Sequence, residues 1–315
     1  MLNRTPLLIL LLLAPGLNGS AAPDAVMQAI DVPVWDESSA APAVRRDIVP
    51  PHIGLATEQT EVFVADPDER KFVPPRLAEL PDNAWGKQVR DGRDIFVDTQ
   101  RYARRFVSNG LNCSSCHLSE GRMAGAAPLW AGYPLYPLYR GKNLRANTYP
   151  ERIGECFRYS MDGTAPTLDS PEMQALIAYS QWLSTNVPTR AIMAGRGFAG
   201  VRAPREASHG RGKIVYQSQC AVCHGKNGEG VRRADGGDGY QFPPLWGWDS
   251  YASGAGMNKL GTTAGFIKGN MPLGKRGSLT DQQALDVAFF LKIQSRPWDP
   301  RMGWFSVFMD DIADG

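Results

Sequence analysis

Apolar positions divide the chain into three kinds of stretch. The first runs from Leu7 to Ala14, follows Met1, Leu2, Asn3 and Arg4, and ends in the small residues "NGSAAP". That layout reads as a signal peptide over residues 1–22, and the run is too short to cross a bilayer. Residues 23–80 are rich in Pro, Ala and charge and keep no period, so an extended arm is expected. From Asn83 the pattern turns helical. Trp85, Val89, Ile95, Phe96, Tyr102 and Phe106 recur at helix-like intervals, with Asp82 or Asn83 placed to cap. Two further helices are predicted at "SPEMQALIAYSQWLS" (170–184) and "TDQQALDVAFFLKIQ" (280–294). Each opens with Ser or Thr at the cap and acidic residues in the first turn. Met173, Leu176, Ile177 and Leu183 in one, and Leu285, Ala288, Phe289 and Leu291 in the other, mark the expected apolar faces.

These segments repeat. "GRDIFVDTQRYARRFVSNGLNCSSCH" is answered by "GRGKIVYQSQCAVCH", and each is followed at a similar distance by one of the two closing helices. The chain therefore divides into units at 81–193 and 211–298, joined by a linker at 194–210 and followed by a tail at 299–315 whose "MGWFSVFMDD" reads as an aromatic docking strip. No later run reaches the roughly 18 to 20 apolar residues of a membrane helix. A periplasmic or extracellular protein with no membrane span is expected.

A net charge of +2 argues against nucleic acid as a partner. The 33 Gly and 24 Pro point to a loop-rich fold that needs an organising element. Five cysteines in an exported chain first suggest disulfides with one thiol left over. Their spacing changes that reading. Cys113, Cys116 and His117 form "CSSCH", and Cys220, Cys223 and His224 form "CAVCH". C-x-x-C-H is the attachment motif of c-type haem, in which two thiols bond the porphyrin and the next His ligates iron. A zinc site or a redox dithiol is the alternative for one such motif; two in an exported chain point to two covalently bound haems c. Each unit, with a helix, the motif, a loop-rich middle and a closing helix, resembles class I cytochrome c. The fold expected is all-α, with two tandem class I cytochrome c-like domains, each holding one haem c that supplies apolar core, plus the extended arm.

Low-spin haem needs a sixth ligand. Of the remaining histidines, His52 lies in the arm and His209 in the linker. Opposite His224, "FIKGNMPLG" offers Met271 just before the closing helix; Met257 competes, and Met271 as core filler is the plain alternative. Opposite His117 no Met-Pro pair stands at the matching place, and Cys156 does. Met161 is the alternative ligand and a structural thiol the plain one. Arg152 and Arg158 nearby favour a thiolate.

The stretch from "LPDNAWGKQVRDG" through "CSSCHLSEGR", with "YPLYPLYR" and "ERIGECFRYSMDG", resembles the catalytic half of the thiosulfate dehydrogenases, and the likeness extends over about residues 75–295. The resemblance implies periplasmic dihaem cytochromes c that join two thiosulfates into tetrathionate, or run the reverse, and that pass electrons to a cytochrome partner. It implies Cys156 as iron ligand and catalytic sulfur, Arg152 and Arg140 as active-site arginines, and Ser160 as the site's serine. Lys142 and Arg145 lie in the same loop as Arg140 and compete for its place. Some members of the family carry Lys directly before the second-haem Met; Asn270 stands there in this chain, which puts a redox-linked ligand exchange in doubt. Lys268 is out of register. The expected chemistry attaches one thiosulfate to the Cys156 sulfur, with attack by a second releasing tetrathionate. The rival readings are an electron carrier without a substrate, the cysteine-ligated haem subunit of a sulfur-oxidising complex and, more remotely, a dihaem peroxidase.

Overall fold

Helix α1, Ala84–Val97, starts where Asn83 accepts a hydrogen bond from the Gly86 amide at 2.8 Å. The computed structural model describes residues 72–302; the expected signal peptide, most of the expected arm with His52, and the tail from 303 onward lie outside the described residues. Beyond Asp98 the chain breaks into short helical turns as far as Phe106. Val89, Ile95 and Phe96 are buried, whereas Trp85 and Tyr102 are exposed. A helix buries one stripe, and the kink at Asp98 ends the period that had included Tyr102.

Helix α2, Tyr149–Glu155, opens with a capping box in which the Thr148 and Glu151 side chains bond each other's amides. It continues without a break into a wider π turn, Cys156–Ser160. Helix α3, Pro171–Leu183, is capped by Ser170 and closes the first half across α1. A Cβ on Gly92 would sit 2.0 Å from the Ala175 carbonyl oxygen and 2.9 Å from the Tyr179 Cβ, so that crossing requires glycine.

The second half repeats this contact. Helix α4, His209–Val215, crosses α6, Asp281–Lys292, where a Cβ on Gly212 would meet the Asp286 carbonyl oxygen at 2.0 Å and the Phe290 Cβ at 2.8 Å. Helix α5, Leu260–Asn270, packs on the other side of α6. Of the face expected for α6, Ala288 and Leu291 are buried, but Leu285 and Phe289 are only half-buried, and Ala284, Val287 and Phe290 take the interior instead. Asp286 is buried among them because its carboxylate accepts from Arg211 Nε (2.7 Å), Arg211 Nη2 (2.9 Å), the Ser208 amide (2.8 Å) and Gln282 Nε2 (3.0 Å).

The fold is mostly helical, in line with the expected class, and the departure from helix is small. Two antiparallel ribbons, β1 Leu138–Arg140 with β2 Arg145–Asn147, and β3 Val231–Arg232 with β4 Tyr240–Phe242, pair backbone in the loop-rich middle of each half. Among the described residues two large apolar cores form, beside a smaller cluster of Trp130, Ala131, Ala191 and Met193. Val89, Phe96, Phe157, Leu176 and Tyr179 belong to one, and Tyr216, Ala264, Val287 and Phe290 to the other.

The halves are not beads on a string. Tyr251 and Ala255, from the later half, lie in the first core. Asn109 Nδ2 donates to the Ser250 carbonyl at 3.0 Å, the Ala252 amide to the Tyr159 carbonyl at 3.0 Å, and Asn270 Nδ2 to the Gly125 carbonyl at 2.9 Å. The segment 194–210 is fixed at both ends as well. Gly195 and Gly197 accept from the Gly125 and Ala127 amides at 2.8 Å each, and the Arg202 amide donates to Asp281 Oδ2 at 2.6 Å.

Candidate active site

The two haem-attachment motifs occupy equivalent places beside the two cores. Cys113 packs against the first core together with Leu129, Ile153, Tyr159 and Met257, all partly buried. Cys220 packs against the second with Leu245, Leu285 and Met271. Among the described residues no disulfide joins any of the five cysteines. His117 Nδ1 donates to the Ala127 carbonyl at 2.6 Å and His224 Nδ1 to the Pro243 carbonyl at 2.8 Å. Each bond fixes the tautomer and leaves Nε2 with a lone pair to give to a metal. Arg296 is buried with Nε and Nη1 unpartnered, and Trp298 Nε1 is unpartnered too, as suits donors to a carboxylate-bearing group. Thiols, imidazoles, apolar rims and spare buried donors together fit haem c.

The candidate sixth ligands separate by location. Met271 ends α5 and lies against the second core, whereas Met257 lies against the first and does not share its site. Met161 is buried in the first core, with its carbonyl accepting from the Ser108 amide at 3.0 Å. His209 stacks near the Phe290 ring, 5.2 Å between centroids.

Cys156 stands at the seam between α2 and the π turn. One helical turn earlier, Arg152 shares its face, and Arg152 Nη1 donates to Cys156 Sγ at 3.0 Å. The His117 imidazole lies within electrostatic reach of the Cys156 sulfur. Burial drives the thiol pKa upward, but the Arg152 guanidinium and then His117 outweigh it and bring Cys156 down to about 7. In the same half, burial pushes Cys113 and Cys116 up to about 12. The Arg152 guanidinium therefore favours the thiolate form of Cys156. The Arg152 pKa rises, first through that sulfur's charge. Arg158 contributes none of this: it is exposed, because the π turn rotates it to solvent.

Ribbon β1–β2 sorts the three competing cations. Arg140 reaches Glu155 Oε2 at 3.7 Å, on the Cys156 side. Arg145, opposite it in register, turns outward to Glu151 at 2.7 Å. Lys142 Nζ donates to the Gly254 carbonyl at 2.7 Å and sits 3.1 Å from the centre of the Tyr159 ring. Burial, then Arg301, lowers Lys142 to about 8. Ser160 ends the π turn half-buried, its carbonyl accepting from Asn109 Nδ2 at 2.9 Å. Among the described residues no partner fixes its hydroxyl.

Sequence reasoning missed Glu155. It is almost fully buried, lies 3.6 Å from Arg152 Nη1 as well as within reach of Arg140, and accepts from Asn143 Nδ2 and, at 3.5 Å, from Asn147 Nδ2. Its place directly before Cys156 and three residues after Arg152 was the available signal. Tyr136 was missed too, although "YPLYPLYR" had been singled out; it lies within electrostatic reach of Arg152, Arg140, Cys156 and Arg196.

A cytochrome c family model matches residues 210–295. Similarity to individual proteins runs through most of the chain. The thiosulfate dehydrogenase of Stutzerimonas stutzeri (strain A1501) is 51% identical over 235 residues, covering 74% of this chain and 76% of that protein. The thiosulfate dehydrogenase of Thiomonas intermedia (strain K12) is 46% identical over 248 residues, covering 78% of each. Among solved structures, thiosulfate dehydrogenase (TsdBA) from Marichromatium purpuratum in its as-isolated form matches 73% of this chain with a TM-score of 0.70 and 42% identity; the present chain spans half the length of that one.

Proposed function

The chain belongs to the thiosulfate dehydrogenase family of haem c oxidoreductases, and from that premise we propose that it joins two thiosulfates into tetrathionate in the periplasm. Cys113, Cys116, His117 and Cys156 would hold one haem c, and Cys220, Cys223, His224 and Met271 would hold a second. Domains at 81–193 and 211–298 would carry them. One observation bears most of the weight: the Arg152 guanidinium donates to the Cys156 sulfur at 3.0 Å.

The reaction must bring dianions together and remove two electrons. Arg152 and Arg140 neutralise the sulfonate oxygens, for which the planar guanidinium fork is suited, and Glu155 holds both arginines in place. Ser160 adds a neutral donor. Cys156 thiolate and the outer sulfur of one thiosulfate form an S–S bond with loss of two electrons, giving a cysteine S-thiosulfonate. The outer sulfur of a second thiosulfate attacks that S–S bond, tetrathionate leaves, and the Cys156 thiolate returns. Haem c, when bound, supplies one-electron acceptors, and two of them match the electron count before transfer to an external cytochrome. The same residues serve the reverse reduction.

Anaerobic mixing of the ferric protein with thiosulfate tests the reading. Haem reduction with one tetrathionate per two electrons, and no added carrier protein, is expected. No reduction would leave an electron carrier.

A further inference from the structure

Arg296 follows the closing helix of the later half and is only 6% exposed. Its Nη2 donates to the Leu291 carbonyl at 2.6 Å, its guanidinium lies 4.3 Å from the centre of the Tyr251 ring, and Nε and Nη1 have no partner. Two residues on, the buried indole nitrogen of Trp298 has none either. A cation withdrawn from water costs several kcal/mol unless an anion or other acceptors replace the solvent. The carboxylates of the segments that meet here are already committed. Asp299 accepts from the Arg301 amide at 3.0 Å and from Arg301 Nε at 2.9 Å, and Asp249 accepts from Arg232 Nη2 at 2.9 Å. Among the described residues no carboxylate pairs with Arg296.

The backbone carries this corner to the first half. The Ser295 and Pro297 carbonyls accept from the Gly247 and Ser253 amides at 2.7 Å each, so the segment runs along the loop 247–255. That loop is clamped in turn by the segments that carry the first C-x-x-C-H motif and Cys156. Asn109 Nδ2 donates to the Ser250 carbonyl at 3.0 Å, the Gly110 amide to Asp249 Oδ1 at 2.7 Å, and the Ala252 amide to the Tyr159 carbonyl at 3.0 Å. Tyr251 and Ala255 thereby enter the apolar core against which Cys113 packs. Arg296, stacked on Tyr251, stands beside the first core although its place in the sequence is in the second unit.

We propose that Arg296 and the Trp298 indole bind a haem carboxylate, and that the haem is the one attached at Cys113 and Cys116. The assignment rests on the haem reading above and adds a cofactor-binding pair supplied by the other half of the chain. A guanidinium beside a haem carboxylate favours the reduced, less positive iron, so it holds the midpoint potential of that haem up. This opposes the electron donation of a thiolate ligand at the same iron.

The test compares the wild-type holoprotein with Arg296→Lys, Arg296→Gln and Trp298→Phe by spectroelectrochemical titration, haem content and the haem propionate bands of the resonance Raman spectrum. The first-half haem is the one whose signals are altered or lost in His117→Met. Arg296→Gln should shift the ferric-to-ferrous ratio of that haem about tenfold toward ferric at a given potential, equivalent to ~59 mV for one electron, and move its propionate bands. Arg296→Lys keeps the charge and should recover most of the potential, and Trp298→Phe should move the bands with a smaller change in potential. Thiosulfate is absent throughout, so the result does not depend on turnover. Should Arg296→Gln fail to fold, Arg296→Lys and Trp298→Phe still report the bands. Unchanged potentials and bands in every folded variant, or changes confined to the haem at Cys220 and Cys223, would overturn the assignment and leave the haem and thiosulfate readings standing. Wild-type protein without haem at Cys113 and Cys116 would remove the haem reading and this assignment with it.

Discussion

At the scale of single residues, Cys156 differs from the other thiols of its half through its neighbours. Burial raises all three, yet only Cys156 has a guanidinium at 3.0 Å and an imidazole to reverse the effect. Cys156→Ala should abolish thiosulfate turnover while the protein retains both haems; electron paramagnetic resonance should lose its His/thiolate signal and keep the His/Met one. Survival of activity in that variant would exclude the covalent role. Arg152→Ala removes a charge-assisted bond that is worth about 1.5 to 3 kcal/mol in general, so kcat/KM should fall on the order of tenfold to a hundredfold at constant haem content. The lone cysteine was legible in the sequence from the count and spacing of the thiols; that Arg152 shares its helical face came from the structure. Tyr136 was not legible, because nothing in its local sequence brings its loop to that helix, whereas Glu155 had only its place between Arg152 and Cys156 to mark it.

At the scale of elements, helix starts followed the cap residues closely. Asn83, Ser170 and Thr280 each cap where the sequence placed a cap. Buried faces followed less well, since Asp286 and Ala284 face inward on α6 while Leu285 and Phe289 are only half-buried. A polar residue can occupy the interior when its bonds are complete, and the Arg211 pair that completes them is contributed by another helix. That arrangement carries a pH dependence. Burial raises the Asp286 pKa, but hydrogen bonds from Arg211, Ser208 and Gln282 outweigh it and hold the group below its ordinary value. Its stabilisation is therefore present above the unfolded carboxylate pKa of about 3.9 and is lost as pH falls through the depressed folded value. Asp286→Asn should flatten the acid limb of the thermal unfolding profile, and Asp286→Ala should destabilise the fold by about 3 to 5 kcal/mol. At the two helix crossings, Gly92→Ala or Gly212→Ala should cost on the order of 1 to 3 kcal/mol or more, measured by denaturant unfolding, because backbone rather than a movable side chain meets the new methyl.

At the scale of the whole molecule, each half supplies parts to the other. Asn270, fully buried, donates to the Gly125 carbonyl at 2.9 Å and to the Phe266 carbonyl at 3.0 Å. Its amide is thereby committed to backbone, and Lys268 is held by the Leu279 carbonyl and Asp281. Asn270→Ala leaves the Gly125 carbonyl without this donor and should lower stability by about 1 to 3 kcal/mol, read as a lower thermal midpoint with both haems retained.

The sequence by itself determined the repeated pattern, the paired C-x-x-C-H motifs, the helix caps and the lone thiol, because each of these is written in spacing over a few residues or in a count. Only the tertiary structure decided which cation of the ribbon reaches Glu155 beside the sulfur, that Arg158 faces solvent, and that the connection between the halves is strapped at Gly195 and Gly197 to the loop that orients His117. Those outcomes depend on where a π turn, a two-stranded ribbon and a strapped connection meet. No local pattern encodes such a meeting, because its free energy comes from contacts between segments far apart in the chain.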